Sequence, residues 1–116
     1  MAEQCIFCAI VNKLAPAAIV YEDEQVLAFK DNQPMAPVHV LIIPKTHYQS
    51  LNDIDDNQVE ILGNLLLHAK TIAKQLNLAD NGYRLMINTG KDGGQTVPHL
   101  HVHLLGGKPH LPVQVG

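Results

Sequence analysis

The sequence predicts an α+β fold, with an antiparallel sheet of about five strands, one long helix packed on it and a short helix near the N-terminus. Three observations carry this. β-prone runs stand on both sides of the segment that begins at Asp55. That segment has the three- and four-residue apolar spacing of one amphipathic helix. A split βαβ arrangement needs more crossover helices than this single one supplies. The chain has 116 residues, enough for one compact domain over 1–116 and too few for two.

Each element has a local reason. Residues 5–13 read as a short apolar turn or helix. Ile19–Tyr21 and Gln25–Phe29 are β-prone runs parted by Glu22-Asp23-Glu24, and a hairpin is the natural pairing. Asn32–Pro37 holds two prolines and reads as a loop. Val38–Ile43 is a strong strand that Pro44 closes. Asp55 opens the long helix, with Gln58 three residues on completing a capping-box pattern. Val59, Leu62, Leu66, Ala69, Ala73 and Leu76 form its apolar stripe, which Leu65 and Ile72 widen. His68 sits beside that stripe as a half-exposed packing residue. Asn81-Gly82 ends the segment. Tyr83–Asn88 and His99–Leu105 are the last strands, separated by a loop containing Gly90, Gly93 and Gly94.

Composition narrows the function. Hydrophobic residues are 47% and charged residues 16%, which suits a packed core and argues against disorder. With no Trp and few aromatics, that core must be aliphatic. Net charge is −3 and no basic stripe is visible, so a nucleic-acid surface is not expected. A single nucleotide is different, because backbone amides and neutral imidazoles can hold one phosphate. No apolar stretch approaches the ~20 residues of a membrane helix. The N-terminus has neither the cationic start nor the apolar run of a signal peptide. A cytoplasmic location is expected, where Cys5 and Cys8 are thiols or metal ligands rather than a disulfide.

The strand His99-Leu100-His101-Val102-His103-Leu104-Leu105 carries the functional argument. Alternation puts His99, His101 and His103 on one face and Leu100, Val102 and Leu104 on the other. Three aligned imidazoles allow three readings. They form a solvated face, or two of them ligate a metal, or one of them attacks an electrophile covalently. A histidine that attacks phosphorus needs its other nitrogen held by an acceptor. The loop Asn88-Thr89-Gly90-Lys91-Asp92-Gly93-Gly94-Gln95-Thr96 runs into this strand and favours phosphoryl chemistry. Its glycines let backbone N–H groups approach an anion, and Asn88 and Thr96 offer side-chain donors.

These residues resemble the histidine triad (HIT) family, whose signature is His-φ-His-φ-His-φ-φ with φ apolar. The likeness runs on through Ala28-Phe29-Lys30-Asp31, Pro37-Val38-His39, Ile43-Pro44-Lys45-Thr46-His47, Gly82-Tyr83-Arg84, Gly93-Gly94-Gln95-Thr96-Val97 and Leu105-Gly106-Gly107. The branch it is most similar to is the histidine triad nucleotide-binding proteins, which are purine nucleoside phosphoramidases. The resemblance implies a HIT-like fold and cleavage of the P–N bond of adenosine or other purine nucleoside 5′-phosphoramidates, releasing AMP (or GMP) and an amine. It makes His101 the nucleophile that forms a nucleotidyl-histidine. It gives His103, Asn88, Gly94, Gln95 and Thr96 the phosphate and leaving-group contacts, with Thr96 standing where a relative usually has Ser. It gives Asp31 the ribose hydroxyls, and Phe29 and Asn32 the walls of the base pocket. Asn32 departs from the Ile common there. His39 supports the triad from a neighbouring strand. Pro98 stands where an aromatic residue is usual, and should lie at a strand start or edge.

Cys5-Ile6-Phe7-Cys8 is ambiguous alone. A redox motif would follow a strand, and none precedes it, so zinc is the stronger reading, with two more ligands required. The resemblance to bacterial HIT members supplies them as His47 and His99, a closed structural Cys2His2 set. It also implies a homodimer built on the long helix and a strand edge. Two rivals stand: a dinucleoside polyphosphate hydrolase of the same superfamily, and a non-enzymatic nucleotide-binding interaction module. His110 lies in the tail Lys108–Gly116, which resembles a family segment that approaches the partner subunit's site.

Overall fold

The computed structural model describes residues 5–108; the tail that contains His110 lies outside the described residues beyond Lys108. The elements run α1 (Ile6–Val11), β1 (Ile19–Glu22), β2 (Val26–Lys30), β3 (Val38–Pro44), α2 (Val59–Gln75), β4 (Tyr83–Met86) and β5 (Val102–Gly106), with short 3-10 turns at Leu51–Asp53 and Asp56–Gln58. The sheet order is β1-β2-β3-β5-β4, and every neighbouring pair is antiparallel. The expected five-stranded sheet with one long and one short helix is the fold found.

The pleat divides the sheet into two packed faces. Val26, Ala28, Val40, Ile42, Val102 and Leu104 turn to one side and meet Leu65, Ala69, Ile72 and Ala73 of α2. Leu27, Phe29, Leu41 and Ile43 turn to the other and meet Phe7 and Ile10 of α1. Burying one such aliphatic or aromatic side chain contributes about 1.5–3 kcal/mol, so both helices are held by the sheet rather than by their own propensity. That matters most for α1, whose six residues could not persist alone in water.

Four boundaries differ from the sequence expectation. Residues 56–58 form a 3-10 turn, and α2 proper starts at Val59. The Asp55/Gln58 pair still caps, since Gln58 Oε1 accepts the Asp55 N–H at 2.9 Å. The helix stops at Gln75, ahead of Asn81-Gly82. Asn77 takes φ +62°, and Leu78 N–H bonds back to the Ala73 carbonyl at 2.9 Å. Asparagine tolerates this left-handed conformation, so it terminates the helix early. The buried stripe centres on Leu65, Ala69, Ile72 and Ala73, while Val59 and Leu66 are exposed, as is Leu67. β4 ends at Met86, where its ladder ends against His103. His68 is half-buried as expected, its Nδ1–H donating to the Asn64 carbonyl at 2.8 Å and its Nε2 3.1 Å from Tyr21 Oη.

The fourth boundary concerns the histidines. Regular pairing in β5 begins at Val102, opposite Ile42. Residues 97–101 bend away because His99 N–H bonds the Val97 carbonyl at 2.8 Å and Leu100 N–H bonds the Tyr48 carbonyl at 2.7 Å. Pro98 lies in this bend, ahead of the strand. The alternation survives the irregularity, because Leu100, Val102 and Leu104 all enter the α2-side core.

Candidate active site and metal cluster

On the α1 side of the sheet, His39, His101 and His103 line a depression of about 390 Å³ together with Asp31, Asn88, Gly94 and Thr96. β3 delivers His39 and β5 delivers His103, two residues apart in register. His101 and His39 are each 4% exposed. A larger depression, about 610 Å³, runs between α2 and the β2–β3 end. It holds no histidine, so the chemistry belongs to the smaller one.

Hydrogen bonds fix the protonation of each ring. His101 Nδ1–H donates to the His99 carbonyl at 2.6 Å, so the neutral ring has its lone pair on Nε2. The Met35 N–H donates to His39 Nδ1 at 3.1 Å. His39 therefore carries its proton on Nε2 and donates it to His103 Nδ1, 2.9 Å away. His103 in turn must carry its proton on Nε2. One ring thus offers a bare nitrogen and the next offers a donor, as attack on a phosphorus and binding of its oxygen require. Asp31 Oδ2 lies 3.5 Å from His39 Nε2. Asp31, His39 and His103 are close enough to ligate a cation, yet the Met35 amide keeps the proton on the His39 nitrogen that would have to bind it.

Burial sets the electrostatics. It pushes His101 below the ordinary imidazole range, opposed by the bond to His99 and by Asp31. Burial, then the His101 and His39 rings, hold His103 down at about 4. Burial likewise lowers His39, with Asp31 opposing. Neutral imidazoles are the forms needed for one lone pair and one donor.

The glycine-rich loop is tightly turned. A Cβ on Gly93 would come within 2.4 Å of the Thr89 carbonyl oxygen, and Gly94 takes φ +79°; neither position accepts a larger residue without distortion. Asn88 Nδ2 donates to the Gly93 carbonyl at 2.7 Å. Gln95 does not line the histidine depression. Its amide ties the loop instead, with Oε1 accepting the Gly90 N–H at 2.9 Å and Nε2 donating to the carbonyls of Gln49 and Val97 at 2.7 and 2.9 Å.

Phe29 and Asn32 also stand outside the histidine depression. They line an adjoining one of about 430 Å³, walled by Ile6, Phe7, Ile10, Leu41 and Val97 and sharing Asp31, Gln33 and Thr96 with the first. Phe7 packs edge-on against both Phe29 and His101, with centroids 5.3 and 5.2 Å apart. Nothing in the residue pattern marks Ile6 and Phe7 as part of this wall. The signal available was the CxxC, which brings them with it. Met35 was also missed, because its contribution is a backbone donor that no side-chain pattern reveals.

The CxxC joins the two histidines expected of it. Cys5, Cys8, His47 and His99 place one donor atom each within 4.8 Å of one another. His99 Nδ1 lies 3.4 and 3.5 Å from the two sulfurs and 3.2 Å from His47 Nδ1, which is 3.1 Å from Cys8 Sγ. Tetrahedral zinc with bonds of about 2.0–2.3 Å sets donor separations of roughly 3.3–3.7 Å, so the residues fit a metal. His99 Nε2–H donates to the Pro44 carbonyl at 2.8 Å, the outer bond that orients a ligating imidazole. Burial, with the Cys5 thiol next, pushes Cys8 up to about 11, so its thiolate needs a cation beside it.

Known proteins resemble this chain in sequence and in fold. The chain is 45% identical over 113 residues to the purine nucleoside phosphoramidase of Escherichia coli (strain K12), covering 97% of this chain and 95% of that one. It superposes with a TM-score of 0.92 on a HIT family hydrolase from Clostridium thermocellum, at 47% identity and with 97% and 98% of the two chains covered. It also superposes, with a TM-score of 0.80, on a Zn-bound histidine triad family protein from Mycobacterium smegmatis, at 34% identity and with 98% and 82% covered. The HIT domain model matches residues 12–110. With the histidine signature, the sheet that carries it and these relatives in agreement, the chain belongs to the HIT domain family.

Proposed function

We propose that this protein is a hydrolase that binds purine nucleotides and cleaves the P–N bond of purine nucleoside 5′-phosphoramidates, releasing a nucleoside monophosphate and an amine. The observation that carries the reading is the 2.6 Å bond from His101 Nδ1–H to the His99 carbonyl, which leaves Nε2 free to attack beside a proton-donating His103. The phosphoryl group would sit in the histidine depression, with Asn88 and Gly94 around it. Asp31 would take the ribose hydroxyls and the Phe29 depression the base. Thr96 borders both.

His101 Nε2 forms a bond to phosphorus as the P–N bond to the amine breaks. The departing nitrogen keeps the electron pair and takes the Thr96 hydroxyl proton, which solvent replaces. Water then attacks phosphorus and gives its proton to solvent, the P–Nε2 bond breaks, and His101 is restored. Overall one water is consumed, its hydroxyl going to phosphorus and its proton to the amine. His103 Nε2–H holds a phosphoryl oxygen throughout.

Cys5, Cys8, His47 and His99 are the proposed ligands of a structural zinc ion, whose four protein donors close its shell. Bound there, it would supply a cross-link from α1 to the bend that carries His101. The exposed Val59, Leu66 and Leu67 on α2 support a homodimer through that helix.

The deciding experiment compares hydrolysis of an adenosine 5′-phosphoramidate with that of a dinucleoside polyphosphate, and traps the intermediate. A phosphoramidate cut faster, with phosphorus on His101, is expected. Faster cleavage of the polyphosphate, or an adduct on His103, overturns the reading.

A further inference from the structure

Asp31, Gln33 and Thr96 border both the histidine depression and the one around Phe29, whereas Lys30 and Asn32 border the second and not the first. Lys30 pairs with Val40, whose side chain enters the α2-side core. Strand alternation therefore turns its ammonium away from the α1 side, where Phe29 lies. That leaves Asn32 as the hydrogen-bonding side chain given to this wall alone.

The backbone fixes Asn32 from both sides. Asp31 N–H bonds the His39 carbonyl at 3.0 Å. Gln33 N–H bonds Asp31 Oδ1 at 2.8 Å, which closes an Asx turn around Asn32. The Asn32 amide is exposed and makes no hydrogen bond among the described residues, so a ligand breaks none in reaching it. Ile6, Phe7, Ile10, Leu41 and Val97 can cover the flat faces of a heterocycle. Apolar walls do not tell one ring from another of the same size; a convergent polar group is what fixes identity. Asp31, one residue earlier, is the group assigned to the ribose, and the base is joined directly to that sugar.

We propose that Asn32 is the specificity residue of the base pocket, and that its side-chain amide engages the substituent at C6 of a purine. Turning the amide over exchanges its oxygen and its nitrogen. It can thus accept a bond from a 6-amino group or donate one to a 6-oxo group. The site takes both kinds of purine and holds a purine bare at C6 more weakly. The inference rests on the base placement in the proposed function and adds no step to the chemistry there.

The test compares 5′-phosphoramidates of adenosine, inosine and unsubstituted purine riboside, all with the same amine. In the unmodified protein the first two should have kcat/KM values within about threefold of each other. Both should exceed purine riboside by about fivefold, the worth of one neutral hydrogen bond. Asn32→Leu, close in size and without donor or acceptor, should bring all three together. Equal values for the three in the unmodified protein, an advantage confined to one of the two substituted bases, or an advantage that survives Asn32→Leu overturns the role of Asn32 alone. Hydrolysis of none of them overturns the phosphoramidase reading. The base inference is then decided by calorimetry with the three nucleoside monophosphates, where the same spread in Kd supports it and equal Kd values overturn it.

Discussion

Replacing Cys5 and Cys8 together with serine should remove bound zinc and lower the melting temperature by about 15 °C. The size follows from which parts of the chain the cluster joins. Cys8 and His47 are 39 residues apart, and His47 and His99 are 52 apart. In the chain-entropy account, closing a loop of either length removes about 4 kcal/mol of unfolded-state freedom. The two loops share one centre and do not add fully, so one loop is the working value. Unfolding entropy near 2.1 cal/mol/K per residue gives roughly 0.24 kcal/mol/K for this chain, and hence a shift of about 15 °C. Serine is the right probe because Cys5 Sγ also accepts the Cys8 N–H at 3.4 Å as the α1 N-cap. A serine oxygen retains that cap, so the change isolates the metal. The assay is a thermal melt by circular dichroism paired with elemental analysis. Wild type should hold about one zinc per chain, and zinc should restore chelated wild type but not the variant. Metal-free wild type purified without chelators, or coincident melts for wild type and the double variant, would refute the reasoning.

Other outcomes are expected. His101→Ala should lower phosphoramidate turnover by at least about a thousandfold while calorimetry still detects AMP binding; retained turnover counts against the nucleophile. Met35→Pro deletes the amide that orders the His39–His103 pair, and should raise KM by about three- to tenfold, the worth of one hydrogen bond. It should also redistribute the ring ¹⁵N shifts of both histidines, and unaltered shifts would mean the protons are placed otherwise. His103 is held at about 4 against an unfolded value near 6.5. The unfolded chain therefore binds a proton between those pH values that the native protein refuses. Stability attributable to His103 is full above pH about 6.5, falls as pH drops towards 4 and is level below, a loss on the order of 3 kcal/mol. Denaturant midpoints across that range should slope less in His103→Asn, and equal slopes would refute the assignment.

Much of this was legible because periodicity is a local property. The spacing of Leu65, Ala69, Ile72 and Ala73 announces α2, and strict alternation at residues 99–104 announces which side each histidine takes. That alternation outlasts the loss of regular pairing before Val102, because burial of Leu100, Val102 and Leu104 fixes it rather than the ladder. What stayed hidden depends on tertiary partners. Val59 and Leu66 fit the helical spacing as well as Leu65 does, but only the sheet's position decides which of them it covers. Gln95 has the chemistry of a phosphate ligand, and its three bonds to Gly90, Gln49 and Val97 emerge only when the loop closes. The proton order of His39 and His103 descends from a main-chain donor at residue 35, which any residue but proline would supply.

The shortness of α1 carries one more consequence. Its six residues stay wound because of Cys5 at their start and the sheet beneath. Ile6, Phe7 and Ile10 on it wall the depression proposed for the base. His39 and His103 ride on β3 and β5, but His101 rides on the bend that His99 joins to the same cluster. Removing the proposed zinc would therefore loosen α1 and this bend together. Metal status would register both as blurred preference among bases and as slower attack on phosphorus.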